Sequence, residues 1–215
     1  MRTYMGSPNR AEPDFSTVFV VDHDPSIRCD LSRLASSMGL RVQVFSSAQE
    51  FLLGRRPDVP SCLILEVRLR GISGFELQNQ LANANIQIPI IFITAHGDVS
   101  ICVRAMKAGA VDFLTKPYGD QEMLDAIYIG LDRDRVRREQ RATCKALRQR
   151  FELLTQRESQ VLKMVVCGMR NREIAAQIGV AENTVKVHRS RTMKKMQARS
   201  VPELVRMIEH IDAQF

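Results

Sequence analysis

Residues 171–196 read NREIAAQIGVAENTVKVHRSRTMKKM, and the fold of the C-terminal part turns on this stretch. Arg172–Ile178 has the spacing of a short helix, with Asn171 as its N-cap. Gly179-Val180-Ala181 then predicts a tight turn, and Glu182–Met196 a second helix carrying Lys186, His188, Arg189, Arg191, Lys194 and Lys195. Two helices joined by a three-residue turn containing glycine, the second one basic, make a helix-turn-helix pattern.

The pattern extends on both sides. Leu154-Thr155-Gln156-Arg157-Glu158 carries a capping box, Thr155 at the cap and Glu158 three residues on. The helix it opens runs to about Val166 and ends at Gly168. Ser200 and Glu203 form a second capping box, for a last helix reaching about His210. Residues 151–215 therefore predict an all-α domain of four helices. Upstream, residues 131–150 (LDRDRVRREQRATCKALRQR) lack Gly and Pro and are rich in charged helix formers. They predict a solvated linker helix in preference to a flexible tether.

The front of the chain follows another rhythm. Apolar runs at Thr17–Val21, Cys62–Leu65, Pro89–Thr94 and Val111–Thr115, with a shorter one at Val42–Phe45, read as central strands of a parallel sheet. Helical patterns at Ser26–Met38, Ala48–Leu53, Gly74–Ala82 and Val99–Ala108 alternate with them, and Gly39, Gly54 and Gly109 stand at expected C-terminal caps. Alternating strands and helices predict an α/β doubly wound sheet of five parallel strands over residues 15–130. Function in such sheets gathers at the carboxyl ends of the strands.

Charge divides the chain in the same way. From Leu131 to Phe215 there are 19 Lys and Arg against 10 Asp and Glu, while the first 130 residues hold 12 against 14. A basic back half suits a polyanionic partner; the alternative is a solvated charged surface. Residues 1–14 are polar and read as a disordered tail on a cytoplasmic protein. No apolar run is long enough for a membrane span. Five scattered cysteines, Cys29, Cys62, Cys102, Cys144 and Cys167, fit neither a zinc site nor a disulfide framework.

With these motifs in place, the chain resembles FixJ/NarL-type two-component response regulators, a receiver domain followed by a LuxR-type helix-turn-helix. The resemblance rests on VVDHDPSIR (20–28), SGFELQ (73–78), FITAHGDV (92–99) and AMKAGAVDFLTKPY (105–118) in front, and on LTQRE (154–158), GMRNREIAAQIGV (168–180) and TVKVHRSRTMKKM (184–196) behind. It implies phosphorelay signalling, a sensor kinase or another regulator upstream, double-stranded DNA and RNA polymerase as partners, a homodimer on DNA, and no enzyme in the usual sense.

A receiver of this kind uses two adjacent carboxylates and an acceptor Asp to hold Mg²⁺, with a hydroxyl and a Lys for the phosphoryl oxygens. Thr94 and Lys116 match the last two, Lys116-Pro117 the expected cis peptide, and Phe113 the switch aromatic. The acidic end departs from the pattern: the carboxylate pair reads Asp22-His23, and the acceptor position is Glu66. Imidazole is a poor ligand for Mg²⁺, so the metal site at Asp22 and Glu66 is degraded; no cofactor is expected, with Mg²⁺ left open as the alternative. Three readings stay open: Glu66 holds the receiver on with a permanent charge, a partner or small molecule switches it, or it is only a scaffold. His23 is either a protonated stand-in for the metal beside Asp22 and Glu66 or a neutral, hydrogen-bonded side chain.

Behind, Val185, His188, Thr192 and Met196 share one helical face, which should pack inward. Lys186, Val187, Ser190 and Lys194 share the opposite face. The resemblance implies base contacts for Lys186 and Val187, and phosphates suit Thr184, Arg189, Arg191 and Lys194. Ala181 stands where relatives often place a capping Ser. Val201, Leu204, Val205 and Ile208 form an apolar stripe that the resemblance reads as a dimerisation contact, core packing being the alternative. The leading function is a sequence-specific DNA-binding regulator with a phosphate-independent receiver. The alternative is a receiver-based adaptor that acts by sequestering a partner.

Overall fold

A computed structural model describes residues 16–212, so the expected tail over 1–14 lies outside the described residues. The chain divides into two compact units, one up to Arg138 and one from Glu139 onward.

The first unit is built from β1 (Thr17–Val21), α1 (Pro25–Ser37), β2 (Arg41–Phe45), α2 (Ala48–Leu53), β3 (Ser61–Glu66), α3 (Gly74–Asn83), β4 (Ile90–Thr94), α4 (Val99–Lys107), β5 (Asp112–Thr115) and the start of α5 (Asp120–Glu152). Elements up to β5 lie within one residue of the ends expected. The sheet order is β2-β1-β3-β4-β5, and every pairing is parallel. β1, β3 and β4 are buried along their whole length, as their unbroken apolar runs require, whereas β2 is an edge strand with exposed positions. Alternation along β1 sends Phe19 and Val21 into one apolar layer with Phe51, Leu63 and Phe92, and Val18 and Val20 into the other with Leu31, Ile64 and Met123. Order reverses about β1, and its pairing of Val21 with Leu65 puts Asp22 beside Glu66 at the carboxyl ends. Gly54 does not cap α2 in a left-handed conformation: its φ is −64°, and a Cβ there would come within 2.8 Å of the Phe45 ring. Glycine serves that position by leaving room for the ring.

The stretch expected as a solvated linker starts inside this unit. Leu131 is buried in the second apolar layer. Asp134 is fully buried; its carboxylate accepts from the Ser61 amide at 2.9 Å, from Arg138 Nε at 2.8 Å and from Arg137. Arg138 also pairs with Asp58. A charge-rich segment reads as solvated, but here the charges satisfy one another against the start of β3. Residues 139–143 are all exposed, and helix propensity alone supports them.

The second unit contains the remainder of α5, then α6 (Gln156–Val166), α7 (Asn171–Ile178), α8 (Glu182–Met196) and α9 (Val201–Asp212). Val161, Leu162, Val165, Ile174, Val185, Met196 and Leu204 form its core. The capping box of α6 is complete, with Glu158 N donating to Thr155 Oγ1 at 3.3 Å and Thr155 N to Glu158 Oε2 at 2.9 Å. Gly179 closes α7 at φ +69°, the left-handed conformation that glycine adopts without strain.

Two expectations need correction, and a third is narrowed to part of its residues. Asn171 is the first helical residue of α7 and not its cap; the cap position is Arg170, whose amide donates to Glu173 Oε2 at 2.7 Å. At α9, Glu203 N donates to Ser200 Oγ, but the Glu203 carboxylate accepts from Arg199 N, so the second box closes one residue early. The stripe on α9 turns inward: Leu204 is buried in the core, with Val201 and Ile208 packed against it and Val205 half-buried. A domain this small uses Leu204 for its own core, while Val201, Val205 and Ile208 keep part of their surface open.

Candidate functional sites

Asp22 follows β1, Glu66 ends β3, Thr94 ends β4, and Lys116 follows β5 and precedes a cis Lys116-Pro117 peptide bond. The parallel register brings these ends together, although up to 94 residues separate the partners in sequence. Lys116 Nζ lies 2.6 Å from Asp22 Oδ2 and 2.6 Å from Glu66 Oε2. The second oxygens are also engaged: Asp22 Oδ1 accepts from Asp24 N at 2.8 Å, and Glu66 Oε1 from Arg68 N at 3.1 Å. Both carboxylates are buried, and the ammonium is mostly so. Burial by itself opposes the charge on Lys116, but the hydrogen bonds to Asp22 and Glu66 outweigh it and hold the ammonium above its ordinary pKa. Tyr118 stays a neutral phenol, pushed up to about 12 by burial and then by the Asp22 charge.

The other expected members stand further off. The Nδ1 of His23 is 3.7 Å from Asp22 Oδ1, beyond hydrogen-bond reach, and its side chain is 39% exposed. The cation that meets both carboxylates at hydrogen-bond distance is Lys116. Asp24 caps α1, accepting from Ser26 N and Oγ. Thr94 is buried, and its hydroxyl accepts from His96 N at 3.3 Å instead of meeting the lysine. Phe113 is half-buried against the first apolar layer. Gly97 lies over its ring and over Thr115, where a Cβ would come within 3.2 Å and 2.3 Å.

These residues do not fit a magnesium ion. The ion demands near-octahedral oxygen ligands, yet each carboxylate oxygen already has a protein donor, and the next position is an imidazole. Among the described residues no group of three His, Cys, Asp or Glu side chains converges as a metal site.

In the second unit α8 sorts its side chains by angle. Val185, Thr192 and Met196 are buried and His188 is half-buried, its Nδ1 enclosed without a hydrogen-bond partner. Thr184, Lys186, Val187, Ser190, Arg191 and Lys194 are exposed, and Lys186 makes only a loose pair with Glu182 at 3.8 Å. Two cations of the helix are turned inward. Arg189 Nη1 donates to Asn171 Oδ1 at 3.0 Å, and Lys195 Nζ reaches Glu158 Oε2 at 2.6 Å and the Leu153 carbonyl at 3.0 Å. Spacing revealed Glu158 as a capping residue, but nothing local reveals a lysine 37 residues on as its partner. Among the described residues, then, the sites are an internal salt-bridged cluster in the first unit and an exposed basic helix face in the second.

Two consequences can be measured. The hydrogen bond from Lys195, followed by that from the Thr155 amide, holds Glu158 at about 2 against an ordinary 4.5. A depressed folded-state pKa contributes stability above the ordinary value and loses it as pH falls toward 2. In thermal melts of the full chain from pH 7 to pH 3, Glu158→Gln is expected to be destabilised at pH 7 by about 2 kcal/mol, with the gap to wild type closing in acid. A constant gap would remove the ionic part of this account. Ala181 is the N-cap of α8 and makes no side-chain cap bond. Ala181→Ser is expected to add about 1 kcal/mol, and an unchanged melting temperature would count against the cap.

Comparison with known proteins places both units. The response regulator receiver domain family matches residues 18–128, and the luxR family of bacterial regulatory proteins matches residues 152–208. Nodulation protein W of Bradyrhizobium diazoefficiens is 54% identical over 192 residues, 89% of this chain and 85% of that protein. Response regulator protein TmoT of Ectopseudomonas mendocina is 42% identical over 98% of this chain and 97% of its own. Among solved structures, response regulator StyR is similar with a TM-score of 0.81 at 49% identity, covering 90% of this chain and 98% of that one.

Proposed function

Since the chain belongs to the response regulators that pair a receiver with a LuxR-type DNA-binding domain, we propose that its receiver governs DNA reading without phosphoryl transfer. Members of this family are transcription regulators and not enzymes. The observation that carries the proposal is Lys116 held at 2.6 Å by both Asp22 and Glu66. Glu66 places a permanent negative charge on the lysine that would otherwise meet a phosphoryl oxygen. Of the three sequence readings this supports the first, a receiver held on by its own glutamate.

The exposed face of α8 enters the major groove. Lys186 and Val187 meet base edges, the valine suited to a thymine methyl, and Thr184, Ser190, Arg191 and Lys194 line the backbone. Two copies occupy adjacent half-sites in the cytoplasm and act with RNA polymerase. Among the described residues no helix is long and apolar enough to cross a membrane.

Light scattering of the untreated full chain across a concentration series tests the receiver reading. The expected result is a dimer that reverts to monomer in Glu66→Ala; a monomer throughout would remove it. Lys186→Ala tests the reader: it should lose sequence-specific DNA binding. Specific binding left intact in that variant would favour the adaptor, which acts through the receiver alone.

A further inference from the structure

Resting on the DNA-binding reading above, we infer that Arg189 is a positioning residue which, with Asn171, sets the angle between α7 and α8, and is not a phosphate contact. Sequence spacing had grouped it with the cations that suit DNA phosphates. The fold separates it from them. Successive residues of an α-helix turn by about 100°. Counting from the buried Val185, Lys194 then lies about 180° away, on the open face, and Arg189 only about 40° from the core direction. Its burial agrees, since Arg189 is half-buried while Lys186, Arg191 and Lys194 are exposed.

Its partner explains the placement. Asn171 is the first residue of α7, at the end away from the turn that joins it to α8, and its Oδ1 takes Arg189 Nη1 at 3.0 Å. Lys195 makes the matching contact on the other flank of α8, where Glu158 of α6 holds it at 2.6 Å. The recognition helix is thus gripped on two sides by its own cations, one tied to each neighbouring helix. Both contacts are charge-assisted, and an Arg–amide contact has a defined geometry that apolar packing alone lacks. Asn171 also stops being a misplaced cap: its amide is there to receive the arginine.

A positioning residue and a phosphate contact differ in a measurable way. Each phosphate neutralised steepens the salt dependence of binding by about 0.9 in log–log slope, whatever the sequence. A residue that aims the helix alters the preferred site and leaves the phosphate inventory alone. The experiment first selects a preferred duplex from a random-sequence pool with the full chain. Affinities for that duplex and for its scrambled version are then followed across a salt series by fluorescence anisotropy.

Arg189→Ala is expected to weaken the selected duplex about tenfold, leaving the scrambled one and both slopes unchanged. Lys194→Ala should weaken both duplexes alike and lower the slope by about one. Asn171→Ala should copy Arg189→Ala, the two together should cost no more than either alone, and Asn171→Asp should keep wild-type discrimination. Equal weakening on both duplexes with a lowered slope in Arg189→Ala would overturn the proposal, as would additive effects of the two alanines. A pool that yields no enriched sequence would instead overturn the DNA-reading premise, and the positioning role with it. Circular dichroism melts of the same variants separate a misaimed helix from an unfolded one.

Discussion

Replacing both His23 and Glu66 with aspartate is expected to turn a chain that ignores acetyl phosphate into one that takes it up in the presence of Mg²⁺. On the reading proposed above, the wild-type pocket lacks the means on two counts. Its two buried carboxylates are already bound to Lys116 at 2.6 Å, and the next side chain in the series is an imidazole 39% exposed to solvent. Shortening Glu66 by one methylene draws its carboxylate back from Lys116. Aspartate at position 23 supplies the oxygen ligand that imidazole cannot. Thr94 and Lys116 remain for the phosphoryl oxygens. Groups aimed at charge that develops in a transition state are each worth on the order of a hundredfold, so labelling should rise from the background by at least that factor. Intact-protein mass spectrometry after incubation would show it, with either single aspartate variant well below the pair. Labelling of the wild type, lost in Glu66→Gln, would sink the argument by showing that the glutamate is itself an acceptor.

Lys116→Met should be the most destabilising single change in the first unit, costing about 3 to 5 kcal/mol. Asp22 is fully buried and Glu66 nearly so, and both depend on this one ammonium. Without it, two like charges share a buried space, which costs far more than the lost contact with the lysine stem. For a unit of this size the melting temperature should fall by roughly 10 to 20 °C. The pH dependence gives the test its sign. With the lysine gone, two buried carboxylates face each other, and a proton added to the pair relieves their repulsion. Stability should then return as pH drops from 7 toward 5 and be lost again as pH rises. Glu66→Gln, which removes one charge and keeps an acceptor for Lys116, should cost only about 1 kcal/mol. A small, pH-independent loss in Lys116→Met would mean that the carboxylates find water or other donors.

Much of this molecule could be read along the chain, for reasons that are local. Apolar runs bounded by polar residues fixed β1, β3 and β4 to within a residue, because a strand buried on both faces has no polar alternative. The ends of α6 followed from Thr155, Glu158 and Gly168, since caps act within one turn. The alternation of buried and exposed positions along α8 followed from its helical period.

Other features came out differently because they depend on partners far off in sequence. Asp134 looked solvated in a charged stretch until Ser61, 73 residues earlier, met it at the amino end of the central strand. Arg189 grouped with the exposed cations by spacing, but its guanidinium donates to Asn171, 18 residues earlier. The stripe on α9 could be core or contact surface by its spacing alone, and it is Leu204 that the fold places in the core.

The sequence by itself therefore determined which elements form, which faces are apolar, and that the acceptor position holds a glutamate. Only the tertiary structure decided which charge meets which: that Lys116 bridges Asp22 and Glu66 at 2.6 Å while His23 stands 3.7 Å from Asp22. Periodicity and capping are set by neighbours within a turn or a strand. An ion pair is set by where the fold brings two distant strand ends, and in a buried site its energy changes steeply over distances that no spacing rule encodes.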